Sequence, residues 1–98
     1  MKQSIINQLK EFFEQQPIEK AWVFGSYSRG EEMKDSDIDI LVRFDNSTQI
    51  TLFKYAMLAN SIQKLLHKNI DLVEEGQIKE FAKNTVEQDK ILIYERKT

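Results

Sequence analysis

A small α/β (α+β) fold, in which helices flank a mixed β-sheet of three to four strands, is the architecture that this sequence of 98 residues predicts. Three observations support it. Apolar residues recur at helical spacing in some segments, short apolar and β-branched runs lie between them, and turn residues separate the two. The length suits a single domain over residues 1–98, and the chain contains no repeat, low-complexity segment or linker.

The first half of the chain alternates between helix and strand. Apolar residues spaced three and four apart predict a helix from about residue 2 to 16. Pro17 ends it, because proline disfavours helical backbone in the residue before it. The short apolar and aromatic segment 18–24 predicts a buried strand. Residues 25–34 predict a tight turn that leads into a short polar helix, and residues 38–44 predict a second strand.

The second half continues the alternation. An apolar face repeated through residues 51–66 predicts a helix, and residues 69–73 predict a third strand. A last helix is expected to use Ile78, Phe81 and Ala82, with Val86 as a further candidate. Residues 91–94 are apolar and β-branched, which suits either a fourth strand or an extension of that helix, and periodicity alone does not separate the two.

The composition excludes several classes of function. The formal charge is −2, the sequence pI is about 5.4 and the chain has no dense cationic run, which argues against direct nucleic-acid binding. It has no cysteine and a single histidine, His67, which excludes disulfides, thiol catalysis and cysteine- or histidine-rich metal sites. No apolar run reaches membrane-spanning length, and the first residues do not form a signal sequence, so a soluble cytoplasmic protein is expected.

Two aspartates carry the first chemical signal. In a strand, residues two apart point to the same side, so Asp37 and Asp39 are expected to project together at the start of the second strand. Two carboxylates so close repel each other unless a cation lies between them, and hard oxygen ligands suit Mg²⁺ or Mn²⁺. An isolated Asp-x-Asp is more often an ordinary pair of acidic residues. A calcium loop is excluded, because Ile40 and Asn46 occupy positions that need glycine and glutamate.

A glycine–serine turn carries the second signal. Gly25 closes a predicted strand, and glycine lets the backbone approach a ligand closely. Ser26 opens the next helix, where free amide groups can bind phosphate oxygens, and Arg29 adds a cation one turn later. The alternative is a plain connection between strand and helix. The position of this turn, one short helix before the Asp-x-Asp strand, favours phosphate binding.

Together these motifs resemble a known signature. The segments 25–30 (Gly-Ser-Tyr-Ser-Arg-Gly) and 36–39 (Ser-Asp-Ile-Asp) are similar to the motif of the DNA polymerase β-type nucleotidyltransferase superfamily, and most of all to its small minimal nucleotidyltransferase (MNT) domains of prokaryotes. The resemblance covers nearly the whole chain and identifies Asp71 as the third carboxylate. Tyr27 and Ser28 stand where the family often has arginine and alanine, which leaves the phosphate-binding positions intact.

The resemblance implies specific roles. Three carboxylates are implied to be both catalytic and metal-binding: Asp37, Asp39 and Asp71. Asp71 is also the candidate base for the attacking hydroxyl. The implied nucleotide-binding residues are Gly25, Ser26, Arg29 and Ser36, although Ser36 could equally cap a turn. The implied substrate is ATP, and the implied cofactor is a pair of Mg²⁺ ions, with Mn²⁺ as an alternative.

The resemblance also implies a partner. Stand-alone domains of this kind are similar to antitoxins of two-gene systems, whose partner is a helical HEPN-type ribonuclease toxin encoded by the adjacent gene. The expected reaction is transfer of AMP from ATP to a tyrosine of that toxin within a hetero-oligomer. The alternative is a non-catalytic binding module that inhibits its partner by occlusion. Transfer to a small molecule is disfavoured by the short length, since relatives of that kind carry a second, acceptor-binding domain.

Overall fold

The computed structural model describes residues 1–47 and 49–97. Its elements are, in chain order, α1 (Gln3–Glu14), β1 (Ile18–Phe24), α2 (Ser26–Arg29), β2 (Ile38–Phe44), α3 (Leu52–Leu66), β3 (Ile70–Glu74), two 3₁₀ turns (Glu75–Gln77 and Glu80–Ala82), α4 (Lys83–Asp89) and β4 (Ile91–Glu95). The four strands form a sheet in the order β3-β2-β1-β4. Strand β1 is antiparallel to β2 and β4, whereas β2 and β3 are parallel, so the predicted mixed sheet with flanking helices is confirmed.

Local chemistry sets the ends of the long helix α3. The hydroxyl of Thr51 accepts a hydrogen bond from the Lys54 backbone N–H at 3.1 Å, which satisfies an amide that the first helical turn leaves free. At the other end His67 adopts a left-handed conformation with φ of 55° and its N–H donates to the carbonyl of Gln63 at 2.8 Å. This turn sends the chain directly into β3, which therefore lies beside β2.

Residues 91–94, left open between strand and helix, belong to strand β4. Ala21 pairs with Tyr94 and Val23 with Ile91, so the segment extends the sheet on the outer side of β1. The pairing buries Ile93 and Tyr94 in the main core, which a continuation of α4 away from the sheet would not do.

The expectation for the last helix was wrong in one respect. Two 3₁₀ turns precede α4, so the segment is not a single α-helix and its side chains do not follow one helical period. Phe81, expected on the buried side, is 85% exposed. Ile78 and Ala82 still pack inward beside Val86.

The sheet separates two apolar clusters of unequal size. The main core lies between one face and helices α1 and α3, and its largest fully buried side chains include Leu9, Phe13, Ile18, Ile38, Ile40 and Ile62. The opposite face carries a smaller cluster of Trp22, Leu41 and Val86, which the segment 75–90 covers. Trp22 is thus a packing residue, with the Lys90 amino group 4.8 Å from its ring centre. None of the described helices is both long and apolar enough to cross a membrane.

The core assignment predicts a large difference between two positions on α3. Ile62 is fully buried, so Ile62→Ala should lower the free energy of unfolding by about 2–5 kcal/mol, through lost apolar burial and the cavity left behind. Phe53, on the same helix, is 75% exposed, and Phe53→Ala should change the free energy of unfolding by less than about 0.5 kcal/mol. Urea titration followed by circular dichroism measures both, and equal losses would contradict the assigned core.

Candidate active site

Two of the predicted site residues, Asp39 and Asp71, lie on the sheet face opposite the main core. Side chains alternate along a strand, and Ile38 and Ile40 of β2 are buried in the main core, so Asp39 between them points to the other face. In β3, Leu72 belongs to the main core and Val73 to the smaller cluster, which places Asp71 on that same opposite face. Both carboxylates are therefore kept out of the apolar interior by simple alternation.

Strand pairing brings these two aspartates together. In the parallel register of β2 and β3, Asp39 stands directly opposite Asp71. Burial and, after it, the negative charges of Asp71 and Asp37 together raise the pKa of Asp39 to about 6, while the positive charge of Arg29 opposes the shift. When Asp39 is protonated, the two carboxyl groups share a hydrogen bond. Folding therefore concentrates negative charge at this end of the sheet.

Gly25 fits against Asp39 in a way that no other residue could. Its φ of 73° lies in the left-handed region that favours glycine. A Cβ atom at this position would collide with Oδ2 of Asp39 and lie 3.1 Å from its Cγ. Because β1 and β2 are antiparallel neighbours, with Phe24 opposite Asp39, the turn after β1 begins beside the carboxylates.

The turn itself is tight. The backbone N–H of Ser28 and that of Arg29 donate to the Gly25 carbonyl at 3.1 and 3.3 Å, and the Ser28 hydroxyl donates to the same oxygen at 2.7 Å. Helix α2 is only four residues long, Ser26–Arg29. So short a helix contributes little dipole, and phosphate binding at this turn would therefore depend on a close approach to the backbone and on the Ser26 hydroxyl.

Two predicted nucleotide-binding residues are engaged within the protein. Arg29 forms ion pairs with Glu31, at 2.7 Å, and with Asp89 at the end of α4. The Ser36 hydroxyl accepts a hydrogen bond from the Met33 backbone N–H at 2.8 Å, so Ser36 caps a turn before Asp37. Of the two roles left open for Ser36, the turn cap is the one with a contact in the structure.

Asp37 precedes β2 and is exposed, and its charge acts on Asp39 less strongly than that of Asp71. Among residues 1–47 and 49–97, no three acidic, histidine or cysteine side chains already stand in position around one metal ion. The structure therefore brings Asp39 and Asp71 into one pair beside Gly25 and leaves Asp37 at its margin.

Two residues near the site were not anticipated from the sequence. Asp89 lies 60 positions from its partner Arg29, and no local pattern indicates such a pair. The Tyr55 hydroxyl donates to the Leu72 carbonyl, next to Asp71. Burial raises the pKa of Tyr55, and the charges of Asp71 and Glu74 add to the shift, so this hydroxyl keeps its proton. In the sequence Tyr55 is only one member of an apolar helical face.

Known proteins share this architecture. The family model described as polymerase beta, nucleotidyltransferase matches residues 7–98. Protein adenylyltransferase MntA of Thermococcus cleftensis is 36% identical over 84 residues, which are 86% of this chain and 83% of that protein. A Methanocaldococcus jannaschii relative, whose name proposes the same activity, is 36% identical over 72 residues, which are 72% of each chain.

Solved structures agree on the fold. A toxin–antitoxin structure with AMP-PNP contains a chain that superposes with a TM-score of 0.79 at 21% identity, covering 94% of this chain and 74% of that one. A tri-AMPylated Shewanella oneidensis HEPN toxin in complex with MNT antitoxin gives a TM-score of 0.74 at 20% identity, covering 98% and 74%. Together with the family model and the sequence relatives, these likenesses lead to one conclusion: this chain belongs to the polymerase β-type nucleotidyltransferase family.

Proposed function

We propose that this chain is an antitoxin that transfers AMP from ATP to a tyrosine hydroxyl of a HEPN-type toxin encoded by the adjacent gene, and so neutralises it. The observation that carries the proposal is the pairing of Asp39 and Asp71 beside the Gly25 turn. It stands in a chain 36% identical to a protein named protein adenylyltransferase MntA. The structural neighbour that contains a tri-AMPylated HEPN toxin supports the choice of acceptor.

The donor atoms at the site fit divalent cations. Asp37, Asp39 and Asp71 offer only carboxylate oxygens, the hard ligands that Mg²⁺ and Mn²⁺ prefer. Burial and the negative charges of Asp71 and Asp37 raise the pKa of Asp39, and a bound cation would favour its charged form. When bound, a pair of such ions supplies positive charge to the attacking and leaving oxygens.

Residues of the chain are proposed to bind the phosphates and to accept the proton. Gly25 and Ser26 hold the β- and γ-phosphates, and Arg29 assists them once phosphate oxygens replace one of its carboxylate partners. Asp71 accepts the proton of the tyrosine hydroxyl. The hydroxyl oxygen then bonds to the α-phosphorus, the bond from that phosphorus to pyrophosphate breaks, and AMP remains on the tyrosine.

Substitution of Asp71 tests the proposed base. Asp71→Asn keeps the shape of the side chain and removes its basicity, so transfer should fall by at least about 100-fold while the circular dichroism spectrum stays unchanged. Asp35→Asn is the matched control, because Asp35 is an exposed acidic residue in the loop before β2. Transfer rates at saturating ATP and Mg²⁺ measure both. A wild-type rate for Asp71→Asn would show that the third carboxylate is misassigned.

The acceptor is tested with the product of the adjacent gene. Incubation with labelled ATP and Mg²⁺ should place label on a tyrosine of that product, and Asp39→Asn should abolish the labelling. Ribonuclease assays of the same mixtures separate catalysis from occlusion. If the double variant Asp37→Asn, Asp39→Asn binds the partner with unchanged affinity and still neutralises it, the chain acts by occlusion and the catalytic proposal fails.

The charge cluster predicts a pH-dependent stability of the metal-free protein. The pKa of Asp39 rises from 3.8 to about 6 on folding, so the folded state holds this proton more tightly. The stabilisation is complete below pH 4 and is lost as the pH rises through 6. Asp39→Asn should therefore melt at a higher temperature than the wild type at pH 7.5 in EDTA, and the difference should shrink towards pH 4. A lower melting temperature for the variant at pH 7.5 would contradict the clustering.

A further inference from the structure

Strand β3 carries Asp71 at an edge of the sheet, and within residues 1–47 and 49–97 β2 is its only strand neighbour. An edge strand leaves half of its backbone groups without a strand partner, so it is held less firmly than a central strand. Asp71 is also exposed. Asp71, the side chain proposed to accept the proton, thus lies on β3, which has fewer strand contacts than its parallel partner β2.

Helix α3 supplies a second attachment for this strand. The Tyr55 hydroxyl donates a hydrogen bond to the Leu72 carbonyl, one residue beyond Asp71. The Tyr55 ring is itself fixed by an edge contact with Phe44 of β2, with 6.3 Å between the ring centres. The hydroxyl therefore belongs to a ring that packs against β2, an interior strand of the sheet.

A second anchor lies at the start of β3. The Ile38 backbone N–H donates to the Asn69 carbonyl at 3.0 Å, which fixes the chain immediately before the strand. Asp71 lies between these two points, Asn69 on one side and Leu72 on the other. With both in place, the backbone that carries the carboxylate has little freedom to move away from Asp39.

We propose that Tyr55 is a positioning residue for Asp71, which acts by holding the Leu72 carbonyl so that the Asp71 carboxylate stays opposite Asp39. This inference rests on the proposed metal-binding and base roles of Asp71. A displacement of about 1 Å at a reacting group can cost roughly 100-fold in rate, so a single backbone anchor is enough to matter. Tyr55 itself touches neither nucleotide nor acceptor in this scheme.

Tyr55→Phe removes the hydroxyl and keeps the ring against Phe44. We expect kcat for AMP transfer to fall roughly 10- to 100-fold. KM for ATP should stay near the wild-type value, because the proposed phosphate-binding turn follows β1 and the substitution does not change it. The Mg²⁺ concentration for half-maximal activity should rise. Tyr94→Phe is the matched control: Tyr94 is buried on β4, packs on Phe13 and is distant from β3 along the sheet.

Two measurements need no acceptor and separate this inference from the proposed function. Hydrogen exchange of the amides of residues 71–73 should be faster in Tyr55→Phe than in Tyr94→Phe, whereas exchange in β1 should be unchanged. Mn²⁺ binding in the presence of ATP, followed by electron paramagnetic resonance, should be several-fold weaker. If both quantities match those of the Tyr94→Phe variant, Tyr55 does not position Asp71. If wild-type protein modifies no partner, the proposed acceptor fails while these two readouts still decide the role of Tyr55.

Discussion

The close approach of the Gly25 backbone to the Asp39 carboxylate is the constraint on which the rest of the site depends. The first strand must turn in a left-handed conformation where the second begins, and a side chain at Gly25 would occupy the space of Oδ2. Because β1 and β2 are adjacent and antiparallel, their pairing places the turn beside Asp39, and the parallel pairing of β2 with β3 adds Asp71. The geometry of the site is thus a property of the sheet and not of a long loop.

The two faces of the sheet differ in how much apolar surface they bury, and this difference lets a small domain carry the charged site. The larger cluster, built on α1 and α3, supplies most of the apolar burial through residues such as Phe13 and Ile62. The other face carries only a small cluster around Trp22 and can expose charged groups at its end without opening the main core. Like charges that would be costly in the interior are therefore tolerated at Asp39 and Asp71.

Much of the fold was readable from local patterns, because alternation and helical spacing are short-range signals. The bounds of β1 and β2 agree with the apolar runs from which they were predicted, and α3 lies within the predicted range 51–66 with Thr51 as its cap. Asp37, just before β2, and Asp39 on it were identified from a motif, and Asp71 from the family resemblance. What could not be read were contacts between distant segments, such as that of Arg29 with Asp89, and the break in helical phase that exposes Phe81. Such features depend on how the helices and strands pack against one another, and a short stretch of sequence does not carry that information.

The thin layer over the second face has a consequence for local stability. Of the residues in segment 75–90, Val86 is the only one that the structure, over its described residues, places among the buried side chains. Segments with so few buried contacts detach at a lower free-energy cost than the body of a domain. Partial opening of this layer would uncover Trp22 and Leu41 while α1, α3 and the sheet stay folded. The two faces of one sheet are thus expected to lose their covers at different free-energy costs, the face with the smaller cluster first.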